Sequence, residues 1–472
     1  MRKLVVIPSA MIVRDFLAAG AFDGIDDDEC YFLSPPLDLD CPLEDHLAQR
    51  RGHYLGSTPH DERRERIYGR LRTLLLTSYR WRSRTVRVKL RELPLRRRLR
   101  ATLGAAPGIR QARIRRGLRE TGISPAVHRI LQDVDPDIVI VVSEGTAGEV
   151  LATDATRSAR ELGVPVLFLT YNWDNLSSKT AFIARPDHLG VIGYQSAEHA
   201  QTIHRFPPER VTVVGSPYID RHFCHEPGST ESPFPFPYVL FAGCYRPFDE
   251  RRSLELLDRS IAESGSGTRI VYLPHPRRLR RVQSDFVDEH ALVHTVVEPT
   301  VRAGYLRAWE DAADGSMRQR NKMMRMTPLP LEAYPALLEN ARFVVCPLST
   351  MMLEAAIFGR RVLAIAYHDG LHNTSPAYSL KYLHFDRVDR VEAFEVCRRE
   401  RDLAPTFASM LATSPPPQRP SKEEMDYWIY HDELPFAERL ARLVDEIVRF
   451  RSEPPGPTLD ETAAGVRSVG RT

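Results

Sequence analysis

The sequence predicts an α/β protein that contains two parallel, doubly wound sheets with a cleft between them. Short apolar runs of strand length alternate with helical patterns in both halves of the chain. A proline-rich connection at 227–237 separates the two arrays. The 472 residues also exceed the roughly 150 residues of one typical domain about threefold. Two Rossmann-like domains are therefore expected.

The first array begins with the strand 3–9 and the helical pattern 11–19. Its later predicted elements are strand 138–142, helix 146–162, strand 166–170, strand 188–192, helix 196–205 and strand 211–214. Fully apolar strands of this kind are typical of a sheet that is covered by helices on both faces. Residues 1–225 are predicted to form the first domain.

The second array repeats this alternation after the proline-rich connection. Its predicted elements are strand 238–244, helix 248–263, strand 269–273, helix 331–339, strand 343–346, helix 351–358 and strand 362–367. Residues 236–433 are predicted to form the second domain, followed by an amphipathic helix at 434–450. The tail 452–472 is rich in proline, glycine and threonine and is predicted to be disordered.

The composition excludes several classes of protein. Apolar residues make up 43% and charged residues 27% of the chain, as in globular proteins. No apolar run approaches the roughly 18 residues of a membrane helix, and the run 4–7 is too short for a signal peptide. The six cysteines contain no Cys-x-x-Cys pair, so neither a zinc site nor a disulfide framework is indicated. A cytoplasmic location and no bound metal are expected.

Basic charge is concentrated in one segment. Residues 50–119 contain 22 Lys or Arg against four acidic residues, a net charge of +18, in a chain of net charge +3. Leucines and aromatic residues alternate with the arginines, which predicts a basic helical insertion at 50–130. This surface could contact an anionic membrane, bind nucleic acid or simply be solvated. No nucleic-acid-binding motif accompanies it, so a nucleic-acid partner is not predicted.

In open α/β sheets, ligands bind beyond the carboxyl ends of the strands. Ser349 and Thr350 follow a predicted strand and begin a helix, where hydroxyls and backbone N–H groups favour a phosphate. Glu354 lies on the same helix face as Thr350 and could accept hydrogen bonds from a ribose. The alternative is structural, because Ser, Thr and Glu are common in the first turn of a helix.

Two further signals lie in the second half. His275 stands between Pro274 and Pro276 at the end of a predicted strand, where an imidazole could stabilise a departing phosphate. Its alternative is a solvated turn histidine. Gly243 and Arg246 follow another strand, and a glycine there permits close approach of the backbone to a ligand.

The first half offers carboxylates at equivalent positions. Glu144 and Asp174 each follow a buried strand, and either could be the general base that removes a proton from a hydroxyl nucleophile. The loop that contains Asp174 also presents candidate acceptor-binding residues, which are Trp173, Asn175, Ser177 and Lys179. A polar surface turn is the alternative interpretation of this loop.

Four motifs carry a resemblance to a known family. They are WDNLSSK at 173–179, VVGSPYID at 213–220, His-Pro at 275–276, and the Ser-Thr pair at 349–350 with Glu-Ala at 354–355. In this order they resemble the GT-B glycosyltransferase-like proteins of cell-surface carbohydrate synthesis, especially the CDP-glycerol glycerophosphotransferase-like group. The His-Pro and Ser-Ser/Thr pairs are also similar to those of bacterial sialyltransferases and capsule Kdo transferases, which use cytidine nucleotides.

The resemblance implies roles for individual residues. It implies that His275, Ser349 and Thr350 contact the donor phosphates, and that Glu354 holds the ribose. The sialyltransferase-like base motif has two adjacent acids before a glycine; Ser143 replaces the first here, so only Glu144 is carried over. The resemblance also implies a metal-independent enzyme without a cofactor, an acceptor-binding first domain, a donor-binding second domain, and a basic face at 50–119 that docks on an anionic membrane.

The expected function is transfer of a sugar or alditol phosphate from a nucleotide donor, cytidine-based by analogy, to a surface-glycan or lipid-linked acceptor. The expected location is the cytoplasm, peripheral to the inner face of the membrane. Two alternatives remain open at this stage. One is a sugar-nucleotide epimerase of the same fold, and the other is a non-catalytic membrane- or polymer-binding protein built on a transferase scaffold.

Overall fold

The computed structural model of the protein describes eleven stretches of the chain. They are residues 1–37, 43–48, 50–145, 149–226, 228–244, 246–275, 292–304, 329, 332–372, 375–413 and 419–449. The tail that is predicted to be disordered, 452–472, lies outside these stretches.

The first half is built on a seven-stranded sheet in the order β3-β2-β1-β4-β5-β6-β7. Its strands are β1 (Lys3–Val6), β2 (Cys30–Ser34), β3 (His53–Ser57), β4 (Ile138–Ser143), β5 (Val166–Thr170), β6 (His188–Val191) and β7 (Val211–Val213). All the strand pairs are parallel. Parallel pairing places every carboxyl end at the same edge of the sheet.

The second half repeats this plan with a six-stranded parallel sheet in the order β10-β9-β8-β11-β12-β13. Its strands are β8 (Tyr238–Ala242), β9 (Arg269–Leu273), β10 (Thr295–Val297), β11 (Val344–Pro347), β12 (Val362–Ile365) and β13 (Phe394–Cys397). The predicted fold class, two Rossmann-like doubly wound units with a basic helical insertion in the first, is confirmed.

Helices cover both faces of each sheet. In the first half they are α1 (Ala10–Ile12), α2 (Leu43–Leu47), α3 (Glu62–Ser78), α4 (Arg84–Arg91), α5 (Leu95–Gly104), α6 (Pro107–Thr121), α7 (Pro125–Val134), α8 (Val150–Glu161), α9 (Asn175–Ser178), α10 (Tyr194–Thr202) and α11 (Pro217–Phe223). In the second half and beyond they are α12 (Glu250–Ser264), α13 (Ala333–Glu339), α14 (Met351–Ile357), α15 (Pro376–Ser379), α16 (Leu403–Thr413), α17 (Lys422–Trp428) and α18 (Phe436–Arg449).

The last helix returns to the first half. Phe436, Leu440 and Leu443 on one face of α18 are buried together with Val5 and Ile7 of the first half. The chain that leads to α18 is fixed on the way, because the backbone N–H of Tyr430 donates to the carbonyl of Ile192 at 2.8 Å. The C-terminal segment therefore links the two halves.

The basic segment differs in detail from the prediction. The stretch 50–61, expected to be helical, contributes β3 to the edge of the first sheet, where its backbone pairs with β2. Helices begin at Glu62, and α3 buries Ile67, Tyr68 and Leu71 in a small apolar cluster. The apolar side of α3 therefore packs inward.

Within the stretches that the structure describes, no helix is both long and apolar enough to cross a bilayer. In the same part of the chain, no group of three or more His, Cys, Asp or Glu side chains is arranged to hold a metal ion.

Candidate functional site

The two sheet edges meet through the loop that follows β5. The ring of Trp173 packs edge-on against His384 and Phe385 of the second half, with centroids 5.4 and 5.3 Å away. The Ser177 hydroxyl lies 2.8 Å from Nδ1 of His384. This loop therefore joins the two halves.

Three of the predicted acceptor residues make structural contacts, Asn175 within the first half and Trp173 and Ser177 with the second half. Trp173, Asn175 and Ser177 are buried. The Asn175 side chain accepts from the backbone N–H of Asn172 and donates to the carbonyl of Glu144 at 3.4 Å. These side chains position the loop, whereas Lys179 remains partly exposed at its end. The sequence pattern identified the loop, but it did not show which of the loop's polar residues are buried and which are exposed.

The two candidate bases lie on either side of one lysine. Lys179 Nζ is 3.2 Å from Asp174 Oδ1 and 4.0 Å from Glu144 Oε1. Burial alone would raise the pKa of Asp174, but the positive charges of Lys179 and Lys89 outweigh it and lower the pKa to about 2. Asp174 is therefore fully ionised at neutral pH and bound to its partners.

The basic insertion contributes residues to the cleft that the sequence analysis did not single out. Lys89 of α4 donates to the carbonyl of Ser178 at 3.2 Å. Glu92 of the same segment accepts from Tyr382 at 3.0 Å and pairs with Arg246 at 3.4 Å. The Arg246 guanidinium also lies 4.7 Å from the centre of the Tyr382 ring. Helix α4 thus connects the insertion with both halves.

Lys89, Lys179 and Arg246 form a cationic cluster between the halves. Burial lowers the pKa of Lys89 to about 8, and the neighbouring charges of Lys179 and Arg246 act in the same direction. The sequence contained one indication that Lys89 differs from its neighbours. The chain has only six lysines, and Lys89 interrupts a run of arginines. Lys179 is paired with Asp174 and Arg246 with Glu92, so an anionic ligand would compete with these carboxylates for the cluster.

In the second half, the loops after β8 and β9 lie against each other. The N–H of Gly243 donates to the carbonyl of Leu273 at 2.8 Å. A Cβ added at Gly243 would lie 3.0 Å from the backbone nitrogen of His275, so a side chain there would displace the loop. Gly243 and His275, which the sequence analysis singled out separately, therefore lie together at the carboxyl edge of the sheet.

Ser349, Thr350 and Glu354 follow the adjacent strand, β11. Thr350 is the residue before α14, and the buried Ser349 Oγ lies beside the Cys346 thiol. Glu354 is buried, and its carboxylate accepts from the Tyr218 hydroxyl at 2.7 Å. A ribose that binds Glu354 would have to share this carboxylate with Tyr218 of the first half.

A second buried carboxylate was not predicted. Asp15 lies in a π-helical turn, Val13–Leu17, that follows α1. It pairs with Arg14 and accepts from the Tyr171 hydroxyl. Burial and the charge of Asp15 raise the pKa of Tyr171 well above its ordinary value. This cluster holds the end of β5 against the start of the chain and so supports the same cleft.

Comparison with known proteins shows the fold. No protein-family model and no curated protein matches the sequence. A Listeria monocytogenes protein described as a UDP-N-acetylglucosamine 2-epimerase has a TM-score of 0.51 at 12% identity, over 97% of this chain and 99% of that one. The UDP-GlcNAc 2-epimerase of Methanocaldococcus jannaschii has a TM-score of 0.49 at 13% identity, over 94% and 99%. Acinetobacter baumannii MurG has a TM-score of 0.40 at 11% identity, over 95% and 99%.

At these identities the likeness concerns architecture alone. The match to the Listeria structure covers 97% of this chain, and both halves of the present protein have the parallel, doubly wound topology described above. The protein therefore has the GT-B fold.

Proposed function

We propose that the protein is a nucleotide-sugar-dependent transferase. It moves a sugar or an alditol phosphate from a nucleotide donor to a hydroxyl of a surface-glycan or lipid-linked acceptor. The observation that carries this proposal is the group of cations Lys89, Lys179 and Arg246 between the two halves, which the phosphates of such a donor would bind in competition with Asp174 and Glu92. The resemblance described above favours a cytidine nucleotide.

Each candidate residue has a role in the proposed transfer reaction. The acceptor oxygen forms a bond to the transferred group while the bond from that group to the donor phosphate breaks. The acceptor proton passes to a carboxylate, and the nucleotide leaves with the bonding electron pair. His275, Arg246 and the hydroxyls of Ser349 and Thr350 stabilise the negative charge on the departing phosphate. Glu354 binds the ribose once Tyr218 shares or releases its carboxylate.

Glu144 is the better candidate for the base. Asp174, with a pKa lowered to about 2 and ion-paired with Lys179, would hold a proton poorly. Glu144 lies farther from the same lysine, and its backbone carbonyl accepts from the Thr180 hydroxyl at 2.9 Å, which fixes the turn. We therefore assign proton removal to Glu144 and a positioning role to Asp174.

Replacement of the two carboxylates tests this assignment. Glu144→Gln is expected to lower kcat by about 10²-fold or more, since the proton acceptor is lost, and to leave nucleotide binding unchanged. Asp174→Asn is expected to reduce thermal stability, because Lys179 loses its ion-pair partner, and to keep kcat within about tenfold. Steady-state kinetics and thermal unfolding measure both. Glu161→Gln, at the exposed end of α8, is the control. The reverse pattern of kcat losses would contradict the assignment.

The lowered pKa of Lys89 predicts that donor binding depends on pH. Its pKa, lowered to about 8, means that the ammonium loses its proton as the pH rises above 8. Nucleotide affinity is expected to fall by up to about tenfold between pH 7 and 9.5, because one charge-assisted contact is lost. Lys89→Met should show the weaker affinity at pH 7 and lose the dependence. Arg87→Met, exposed on the same helix, should behave as the wild type.

The effect of pH on the free energy of unfolding distinguishes a loss of nucleotide affinity from unfolding of the protein. Because the folded pKa of Lys89 lies below its ordinary 10.5, the unfolded chain binds more protons between pH 8 and 10.5. The contribution of Lys89 to the free energy of unfolding therefore rises with pH in that window. Unchanged wild-type affinity from pH 7 to 9.5 would contradict a phosphate contact by Lys89.

The second candidate function is that of a sugar-nucleotide epimerase. The similarity in fold to the Listeria protein, which is described as an epimerase, supports this alternative. Donor and acceptor requirements distinguish the two activities. A transferase releases nucleotide at an enzymatic rate only when an acceptor is present, whereas an epimerase isomerises the sugar nucleotide alone. Isomerisation without an acceptor, followed by NMR of the donor, would overturn the transferase proposal and leave the nucleotide site intact.

A further inference from the structure

The loop that follows β12 holds a histidine against a buried carboxylate. Nδ1 of His372 lies 2.6 Å from Oδ2 of Asp369. The side chain of Asp369 is 1% exposed, whereas that of His372 is 33% exposed. Within the described residues, Nε2 of His372 makes no hydrogen bond. One nitrogen of the imidazole is therefore fixed by the carboxylate, and the other has no partner in this part of the chain.

Backbone N–H groups fix the position of the carboxylate. Oδ1 of Asp369 accepts from the N–H groups of Leu371 and His372 at 3.1 and 3.0 Å. Oδ2 accepts from the N–H of Asp249, the residue before α12, at 2.9 Å. Gly370 has a φ of 76°, a conformation that glycine adopts readily and that turns the chain back toward the carboxylate.

The charge of Asp369 determines how the imidazole is presented. Burial alone would raise the pKa of Asp369, but the hydrogen bonds from His372 and from the backbone outweigh it and lower the pKa. An ionised carboxylate only accepts hydrogen bonds, so Nδ1 of His372 carries a proton. In a protonated ring Nε2 also becomes a donor, and the carboxylate balances the positive charge. Such a ring can donate a charge-assisted hydrogen bond to a phosphate oxygen.

The His372–Asp369 pair lies at the carboxyl edge of the second sheet. β12 pairs with β11 in parallel, with Ile365 opposite Pro347. The two chains therefore leave the sheet side by side, one toward Asp369 and the other toward Ser349. The hydrogen bond from Asp249 joins the loop after β8 to the loop after β12. Since β11 lies between β8 and β12 in the sheet, the two loops meet across the strand that leads to Ser349.

The connection between β8 and α12 also reaches the other candidate histidine. It begins at Gly243, whose added Cβ would lie 3.0 Å from the backbone nitrogen of His275. It ends at Asp249, which donates to Asp369. One short connection thus contacts the loop that contains His275 and the loop that contains His372.

We propose that His372 is a further phosphate-binding residue of the donor site and that Asp369 is its positioning residue. His275 follows β9 and His372 follows β12, so the two histidines flank β8 and β11, whose loops contain Arg246 and Ser349. Nε2–H of His372 donates to a phosphate oxygen of the nucleotide. The inference rests on the proposed transferase function and adds a second histidine to its donor site.

A role in loop structure alone does not account for the imidazole. The three backbone N–H groups already satisfy both oxygens of Asp369. The ring of His372 adds one further hydrogen bond to this carboxylate and keeps a third of its side chain exposed. A ligand contact explains why the loop presents an imidazole there.

Calorimetric titration of the full-length protein tests this contact. The probes are CDP and UDP, with cytidine and uridine measured by competition against the nucleotide that binds. His372→Ala is expected to weaken nucleotide binding by about tenfold or more, because one charge-assisted hydrogen bond is lost. Nucleoside binding should not change, because cytidine and uridine carry no phosphate. No acceptor is present in these titrations, so a phosphate on an acceptor does not contribute to the loss.

Further variants separate binding from folding. His372→Gln keeps a polar side chain without an ionisable ring and should show the same selective loss, even if His372→Ala is destabilised. Asp369→Asn should weaken nucleotide binding in the same direction, because the imidazole is no longer held by a carboxylate. His294→Ala is the matched control, since His294 directly precedes β10 at the opposite end of the sheet, and it should bind nucleotide like the wild type.

Two outcomes would overturn the inference and leave the proposed function intact. One is unchanged nucleotide affinity in both His372 variants. The other is an equal loss of nucleotide and nucleoside affinity, which would assign the ring to the structure of the loop. A wild-type protein that binds none of the four probes would instead contradict the proposed function, and the donor contact of His372 with it.

Discussion

His275→Ala is expected to lower donor turnover by at least about 10²-fold. His275 follows β9, and its backbone nitrogen lies beside Gly243 at the carboxyl edge of the second sheet. In the sequence it stands between Pro274 and Pro276, and proline restricts the conformation of the backbone next to it. A hydrogen-bond donor at this position would stabilise charge that develops on the departing phosphate.

Nucleotide release at saturating donor and acceptor measures this effect. His294→Ala is the matched control, because His294 lies at the opposite end of the same sheet, directly before β10. The control should keep full activity. Activity of His275→Ala within threefold of the wild type would contradict a role for His275 in leaving-group stabilisation, without affecting the fold.

Arg439→Met is expected to lower the free energy of unfolding by about 3–5 kcal/mol. Arg439 is buried and donates to Asp220 Oδ1 at 2.7 Å and to the carbonyl of Val214 at 3.0 Å. The other carboxylate oxygen of Asp220 accepts from the backbone N–H of Phe436 at 2.8 Å. Removal of the guanidinium leaves the Asp220 carboxylate buried without its cation, at the point where the C-terminal helix returns to the first half.

Urea denaturation monitored by circular dichroism measures this change. Arg442→Met is the matched control, since Arg442 is exposed on the same helix, and should change stability by less than about 0.5 kcal/mol. Equal stability of the two variants would show that the Asp220–Arg439 pair does not anchor α18. Loss of nucleotide stabilisation in Arg439→Met alone would indicate that the anchor also sets the cleft geometry.

The sequence predicts most of the strands and misses four of them. β5 and β9 match their predicted bounds, 166–170 and 269–273, because both are nearly continuous apolar runs that the sheet buries on two faces. β2, β3, β10 and β13 were not predicted. β3 and β10 are short, only partly buried and at the edge of a sheet, so little apolar periodicity marks them, whereas β2 is buried between two neighbours and was missed all the same. The strand character of β3 and β10 comes from pairing with a neighbour.

Some residues of the candidate site could be predicted from the sequence and others could not. Residues that directly follow a central strand, such as Glu144 and His275, could be named from topology alone. Lys89 and Asp15 could not, because their positions depend on how α4 and the π-helical turn pack across the cleft. Asn175 illustrates the opposite error, since a polar loop residue proved to be a buried support of the loop.

Thermal unfolding of the wild-type protein with CMP, CDP, UDP, GDP and ADP tests the central claim most directly. The account predicts selective stabilisation by one nucleotide, because ligand that binds the folded state alone raises the unfolding midpoint. It also predicts a smaller shift for that nucleotide in His275→Ala. The absence of a shift with every nucleotide would contradict a donor site in the cleft. Such a result would favour the alternative of a non-catalytic binding protein on a transferase scaffold, with the basic segment 50–119 as its functional part.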